Sequence, residues 1–151
     1  MKRAQEIVAL VLFWVGWPVL WLAIHDSNRV RVLVCCGTKV LVIKSRISNG
    51  DWGLPGGGCH AGESTMAAAV RELKEETGIK ANPNQLIPLV QAERAKEEGI
   101  SFVYDGFLLE LAEKPVLKLS RLEIRRAEWL DKTQLLKDKK LSSVTRTLLN
   151  T

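Results

Sequence analysis

The sequence predicts a mixed α/β domain carried behind one membrane-spanning helix. Three observations predict it. An uninterrupted apolar run covers residues 7–24, two β-branched runs flank Gly37-Thr38, and an alanine-rich segment follows a stretch of glycines. The 151 residues, 46% apolar and 26% charged with a net charge of +5, suit one domain. That apolar content excludes a disordered chain, and a single long apolar run excludes a polytopic membrane protein. The three cysteines are odd in number, and the neighbours Cys35 and Cys36 point to opposite faces of a strand. A disulfide scaffold is therefore excluded and a reducing compartment favoured.

The elements follow in chain order. Residues 1–6 are a short flank, cytoplasmic or external, that carries Lys2 and Arg3. From Ile7 to Ile24 no side chain is charged, and only the indoles of Trp14, Trp17 and Trp21 can form hydrogen bonds. As a helix this run is about 27 Å long, close to the thickness of a hydrocarbon core. Pro18 is tolerated in a spanning helix. A signal-anchor helix is the favoured reading. A cleaved signal peptide is the first alternative, weakened because no A-x-A site follows the run. A helix buried on the domain or lying on the membrane is the other, weakened because no polar face stands opposite the tryptophans. Residues 25–151 remain as the folded domain. Lys2 and Arg3 favour a cytoplasmic N-terminus, whereas Arg29, Arg31, Lys39 and Lys44 favour a cytoplasmic C-terminal side. The unpaired thiols tilt the expectation to a cytoplasmic domain on a single-pass anchor.

Within that domain Arg29–Cys36 and Lys39–Lys44 read as a hairpin. Asn49–Gly58, with five glycines and a proline, reads as a loop. Glu63–Thr77 reads as a helix, with Ser64 or Thr65 able to cap its start and Gly78 able to stop it. Ile87–Ala92, Ser101–Leu111 and Glu128–Trp129 read as strands, and Thr133–Leu136 and Leu141–Leu149 as short helices. From Lys114 onward ten basic residues face four acidic ones, but no aromatic pattern accompanies them, so nucleic-acid binding is not expected.

The chemistry concentrates on the first helix. Glu72, Glu75 and Glu76 stand at i, i+3 and i+4 and share one face, where like charges repel unless neutralised. Arg71 and Lys74 can screen them on a solvated helix, or a hard divalent cation can sit among their oxygens. The wider spacing bears on that choice. Gly57 is followed after five residues by Glu63 and after seven more by Arg71-Glu72-Leu73, then Glu75-Glu76, Gly78 and Ile79. This spacing resembles the Nudix box at every specified position, and Trp52-Gly-Leu-Pro-Gly-Gly-Gly58 is similar to the family's approach to that box. Chance agreement at seven identities and two apolar places has odds on the order of 10⁻⁷.

The resemblance implies a Nudix-like mixed-sheet α/β/α sandwich. It implies a hydrolase that cleaves the pyrophosphate of a nucleoside diphosphate linked to another moiety, with Mg²⁺ or Mn²⁺ as cofactor and a phosphorylated small molecule as substrate. By similarity Glu72, Glu75 and Glu76 hold the metal with the Gly56 carbonyl, and Glu76 is catalytic. Gly57, Glu63, Arg71 and Gly78 are structural, with Glu63 and Arg71 pairing to tie loop to helix. Glu123, six residues before Trp129, is similar to an acidic residue of nucleotide-sanitising members and is the expected general base; Glu93, Glu97, Glu98 and Glu110 are its rivals. Arg94 stands near the place where a proline marks ADP-ribose enzymes, and Tyr104 lies beyond the place where a tyrosine marks dinucleoside polyphosphate enzymes. Neither subclass is favoured, and nucleoside triphosphates or other small nucleotides are the default. The alternative function is a membrane-anchored, non-catalytic nucleotide sensor on the same fold; the intact set of box glutamates weighs against it.

Overall fold

A computed structural model describes residues 28–46, 48–97 and 99–151. The flank at 1–6 and the expected membrane segment at 7–24 lie outside the described residues. Among those described, no helix is long and apolar enough to cross a membrane.

Five strands form one mixed sheet: β1 (Asn28–Cys36), β2 (Lys39–Ser45), β3 (Leu86–Glu97), β4 (Ile100–Glu110) and β5 (Ile124–Asp131). Their spatial order is β3-β4-β1-β2-β5. The β1–β4 pair is parallel, with Val32 opposite Phe107, and the other pairs are antiparallel. Central β1 is apolar on one face along its length and on both faces from Val32 to Val34, where it is buried on both sides. Val30, Val32 and Val34 point one way and are fully buried under α1 (Thr65–Thr77), packed with Ala68, Ala69 and Leu73. Leu33 points the other way into a second core. That core is closed by α2 (Lys132–Leu135) and α3 (Ser143–Leu149), through Leu135, Val144, Leu148 and Leu149. Helices therefore cover both faces of the sheet, the expected three-layer arrangement.

Several boundaries differ from the sequence expectation. Helix α1 starts at Thr65 rather than Glu63, because the Ser64 hydroxyl accepts the Ala67 N–H and fixes the cap there. Glu63 thus lies in the preceding turn. Strand β3 runs on to Glu97, its polar half held by pairing from Glu93 opposite Tyr104 to Glu97 opposite Ile100. The register shifts between Val90 and Glu93, where Ala92 has a φ of 50°. Asp105 on β4 steadies that irregularity by accepting the Ala92 N–H at 2.8 Å and the Thr65 hydroxyl at 2.6 Å. Strand β5 begins at Ile124, four residues before the expected start, because its backbone continues the β2 ladder through Arg126 opposite Lys44.

Candidate active site

The glycine loop is held against the end of β1. The Val30 and Val32 amides donate to the carbonyls of Gly57 and Pro55 at 2.9 and 2.8 Å. Gly56, between those two, has a φ of 141°, and any Cβ there would collide with the Val30 carbonyl. Its own N–H donates to Glu76 Oε2 at 2.8 Å. Gly57 lies against Glu72, where an added Cβ would stand 2.5 Å from Oε1. Gly57 thus lets the loop backbone lie close to Glu72, and Gly56 lets it lie close to β1 with its N–H on Glu76.

Arg71 ties the same loop to α1 by a fan of charge-assisted bonds. Its Nε and Nη2 donate to the two oxygens of Glu63, each at 2.9 Å, and Nη2 also donates to the Gly58 carbonyl at 2.9 Å. Its Nη1 donates to Glu72 Oε1 at 2.7 Å and to Glu75 Oε2 at 3.2 Å. The guanidinium fork holds the Glu63 carboxyl down at about 2, below its ordinary value of 4.5.

A cleft of about 590 Å³ opens beside this junction, and Gly56, Glu72, Glu76 and Glu123 line it. Glu76 is only 8% exposed. Burial, together with the nearby charges of Glu72 and Glu123, pushes its carboxyl up to about 8, while the Gly56 N–H and Arg31 act in the opposite direction. Glu123 sits in the turn before β5, held there by its carbonyl accepting the Arg46 N–H at 2.8 Å. It is exposed and faces the cleft.

Glu75 does not join this group. Its side chain is 54% exposed, held by Arg71 and set beside a separate shallow groove with Lys74 and Pro83. Helical geometry explains the departure from the expected single face. Positions i+3 and i+4 fall about 60° and 40° to opposite sides of position i, so Glu75 and Glu76 diverge by about 100°. Among the described residues, no three His, Cys, Asp or Glu side chains are gathered closely enough to hold a metal ion unaided. The donor set nevertheless suits a hard cation: of the five acidic side chains that line the cleft, Asp51, Glu72, Glu76, Glu97 and Glu123, Glu76 is buried beside glycine backbone.

Of the rival acids, Glu97 also lines the cleft, but its Oε1 accepts the Val144 N–H at 3.2 Å and so caps α3. Glu93 and Glu110 do not line it, and Glu98 lies outside the described residues. Sequence reasoning missed the basic wall. Arg29 and Arg31 line the cleft, their guanidinium carbons 4.7 and 5.8 Å from the centre of the Phe102 ring. The available signal was their alternation with Val30 and Val32, which places both on one strand face. It gives no sign that this face borders a cleft rather than solvent.

The comparisons with known proteins bear on the family and the fold. Residues 26–150 match the NUDIX domain family. Nudix hydrolase 10 of Arabidopsis thaliana is 28% identical over 132 residues, which cover 85% of this chain and 46% of that protein. Phosphatase NudJ of Shigella boydii is 33% identical over 116 residues, covering 76% and 74% of the two chains. The chain thus spans less than half the length of the plant relative. A MutT NUDIX hydrolase from Burkholderia pseudomallei has the same fold, with a TM-score of 0.72 at 21% identity over 83% of this chain and 97% of that one. The family match covers most of the chain and includes the box at residues 57–79: the chain belongs to the Nudix family.

Proposed function

We propose that this protein is a divalent-metal-dependent pyrophosphohydrolase acting on a nucleoside diphosphate linked to another moiety. The observation that carries the reading is the convergence of Glu72, Glu76 and Glu123 on one cleft floored by Gly56 and Gly57. The names of the relatives, hydrolases and a phosphatase, support the same reaction class.

In this reading Glu72, Glu76 and the Gly56 carbonyl hold Mg²⁺ or Mn²⁺. When bound, the ion neutralises phosphate oxygens and lowers the pKa of the attacking water. Glu123 accepts the proton that water loses. Exposure suits it to this task, because it can pass the proton on to solvent. Glu63 and Arg71 act on position only: they fix the angle between the glycine loop and α1, and so the distance between Gly56 and Glu76. Glu75 contributes through its bond to Arg71.

The deciding experiment incubates the full-length protein with a panel of nucleotides and nucleotide sugars, with Mg²⁺, with Mn²⁺ and with EDTA. Release of a nucleoside monophosphate or of phosphate that depends on the metal is expected. Undiminished turnover in EDTA overturns the mechanism.

Membrane attachment through residues 7–24, with a cytoplasmic catalytic domain, is proposed on the apolar run alone. Carbonate extraction tests the anchor, and protease protection in intact spheroplasts tests the side. Full release by carbonate, or digestion of the domain from outside, overturns the respective part.

A further inference from the structure

Acidic and basic side chains line the cleft together: Asp51, Glu72, Glu76, Glu97 and Glu123 with Arg29, Arg31 and Lys96. The charge of Arg31 acts on Glu76, and Arg29 feels both Arg31 and Glu97. Both arginines lie over Phe102, which is 2% exposed and therefore a fixed floor rather than a mobile flap. The Arg31 Nη1 also donates to the Val30 carbonyl at 3.0 Å, which limits where its remaining donors can point. The two residues are two apart on one strand face, so their backbones are roughly 6–7 Å apart along the chain. Burial and then the charge of Arg31 push the Arg29 pKa down, while Glu97 acts in the opposite direction.

The rest of the lining sharpens the choice of ligand. Phe102 is the only aromatic side chain among the described residues that line the cleft, and the two arginines overlie it. The feature best built to hold a group next to the glutamates is therefore the pair of forked donors, whose geometry matches a phosphate.

We propose that Arg31, supported by Arg29 braced on Phe102, determines specificity by binding a phosphate adjoining the scissile anhydride. Nucleoside triphosphates and longer polyphosphates are accordingly preferred to nucleoside diphosphates that carry a neutral sugar. This inference rests on the hydrolase reading of the neighbouring glutamates.

The test compares kcat/KM for a nucleoside triphosphate and a nucleoside diphosphate sugar of the same base, using the full-length protein with Mg²⁺. Calorimetric binding of an imido-bridged, non-hydrolysable triphosphate runs in parallel and needs no turnover. The unsubstituted protein favours the triphosphate by about tenfold or more. Arg31→Gln lowers kcat/KM on the triphosphate at least about tenfold more than on the sugar, chiefly through KM, and weakens analogue binding by a similar factor. Arg31→Lys keeps the charge but not the fork, so part of the discrimination, about threefold or more, is lost even there. If Arg31→Gln does not fold, the lysine variant decides alone.

An equal loss on both substrates, unchanged discrimination in the lysine variant, or a preference of the unsubstituted protein for the sugar overturns the inference while leaving the hydrolase reading intact. Analogue binding that depends on Arg31, with no nucleotide turned over, supports the inference and overturns the hydrolase reading instead.

Discussion

Glu76 occupies a place where a carboxylate is a burden to the fold. It is 8% exposed, close to two other carboxylates, and has one backbone donor, the Gly56 N–H. A buried group of that kind is stable only when something compensates its charge. Glu76→Gln retains the size and an oxygen able to accept the Gly56 bond, so the variant folds with an equal or higher Tm in EDTA. Its kcat falls by at least about 100-fold, as expected when charge is removed from a metal shell. Circular dichroism melts and steady-state kinetics check the two halves separately. Glu123 is assigned on its cleft-facing position, so Glu123→Gln is expected to damage turnover more than Glu93→Gln or Glu110→Gln under the same assay. If either of the latter two is the more harmful, the base is misassigned. The spacing of Glu72 and Glu76 was legible in the chain because the box fixes it, whereas Glu123 was singled out only by its place six residues before Trp129. The roles of Arg29 and Arg31 were not legible, because alternation on a strand records which face a residue takes and not what lies opposite that face.

At the scale of elements, the junction between the glycine loop and α1 depends on Arg71. Five hydrogen bonds to Glu63, Glu72, Glu75 and Gly58 converge on one guanidinium. Arg71→Ala leaves those carboxylates without their shared partner, and Tm is expected to drop by about 3–8 °C along with activity. Arg71→Lys, which keeps charge without the fork, falls between the two. The pH dependence carries a definite sign. The folded Glu63 carboxyl is depressed from 4.5 to about 2, so its contribution to stability is fully present above pH 4.5 and is lost as the pH falls toward 2. The Tm gap between the unsubstituted protein and Arg71→Ala therefore narrows over that window. A gap that stays constant down to pH 2 would show that the Glu63 pair contributes nothing. Helix α1 was legible almost to the residue because its cap, its alanines and Gly78, whose N–H donates to the Lys74 carbonyl, all agree. The second half of β3, Glu93-Arg-Ala-Lys-Glu97, was not, since its composition suits a helix and only the pairing with β4 makes it a strand. Polar β5 was shortened for the same reason.

At the scale of the molecule, strand order is what assembles the site. Parallel pairing of β1 with β4 brings Arg29 and Arg31 over Phe102, and antiparallel pairing of β2 with β5 brings the turn at Glu123 to the same cleft. Nothing in a single sequence states that β1 lies between β2 and β4, so the cleft was not legible even though its acidic half was. The cleft draws on β1, β2, α1, β3, β4, the β5 turn and the entry to α3, where Trp52 bonds to Lys140 and Ser142 through its backbone. A ligand that fills it therefore joins parts of the chain that otherwise meet only through the sheet. A ligand held by the folded state alone at about 100 times its Kd adds about 2.7 kcal/mol, which in a domain of this size raises Tm by about 5–10 °C. Mg²⁺ together with the imido-bridged triphosphate is expected to produce that shift in the full-length protein, with Mg²⁺ alone producing a smaller one. Glu76→Gln is expected to lose the Mg²⁺ shift, since it weakens the metal site without altering the basic wall. A Mg²⁺ shift of full size in that variant, read by differential scanning calorimetry, would place the metal away from Glu76 and dissolve the link between the acidic and basic halves of the cleft.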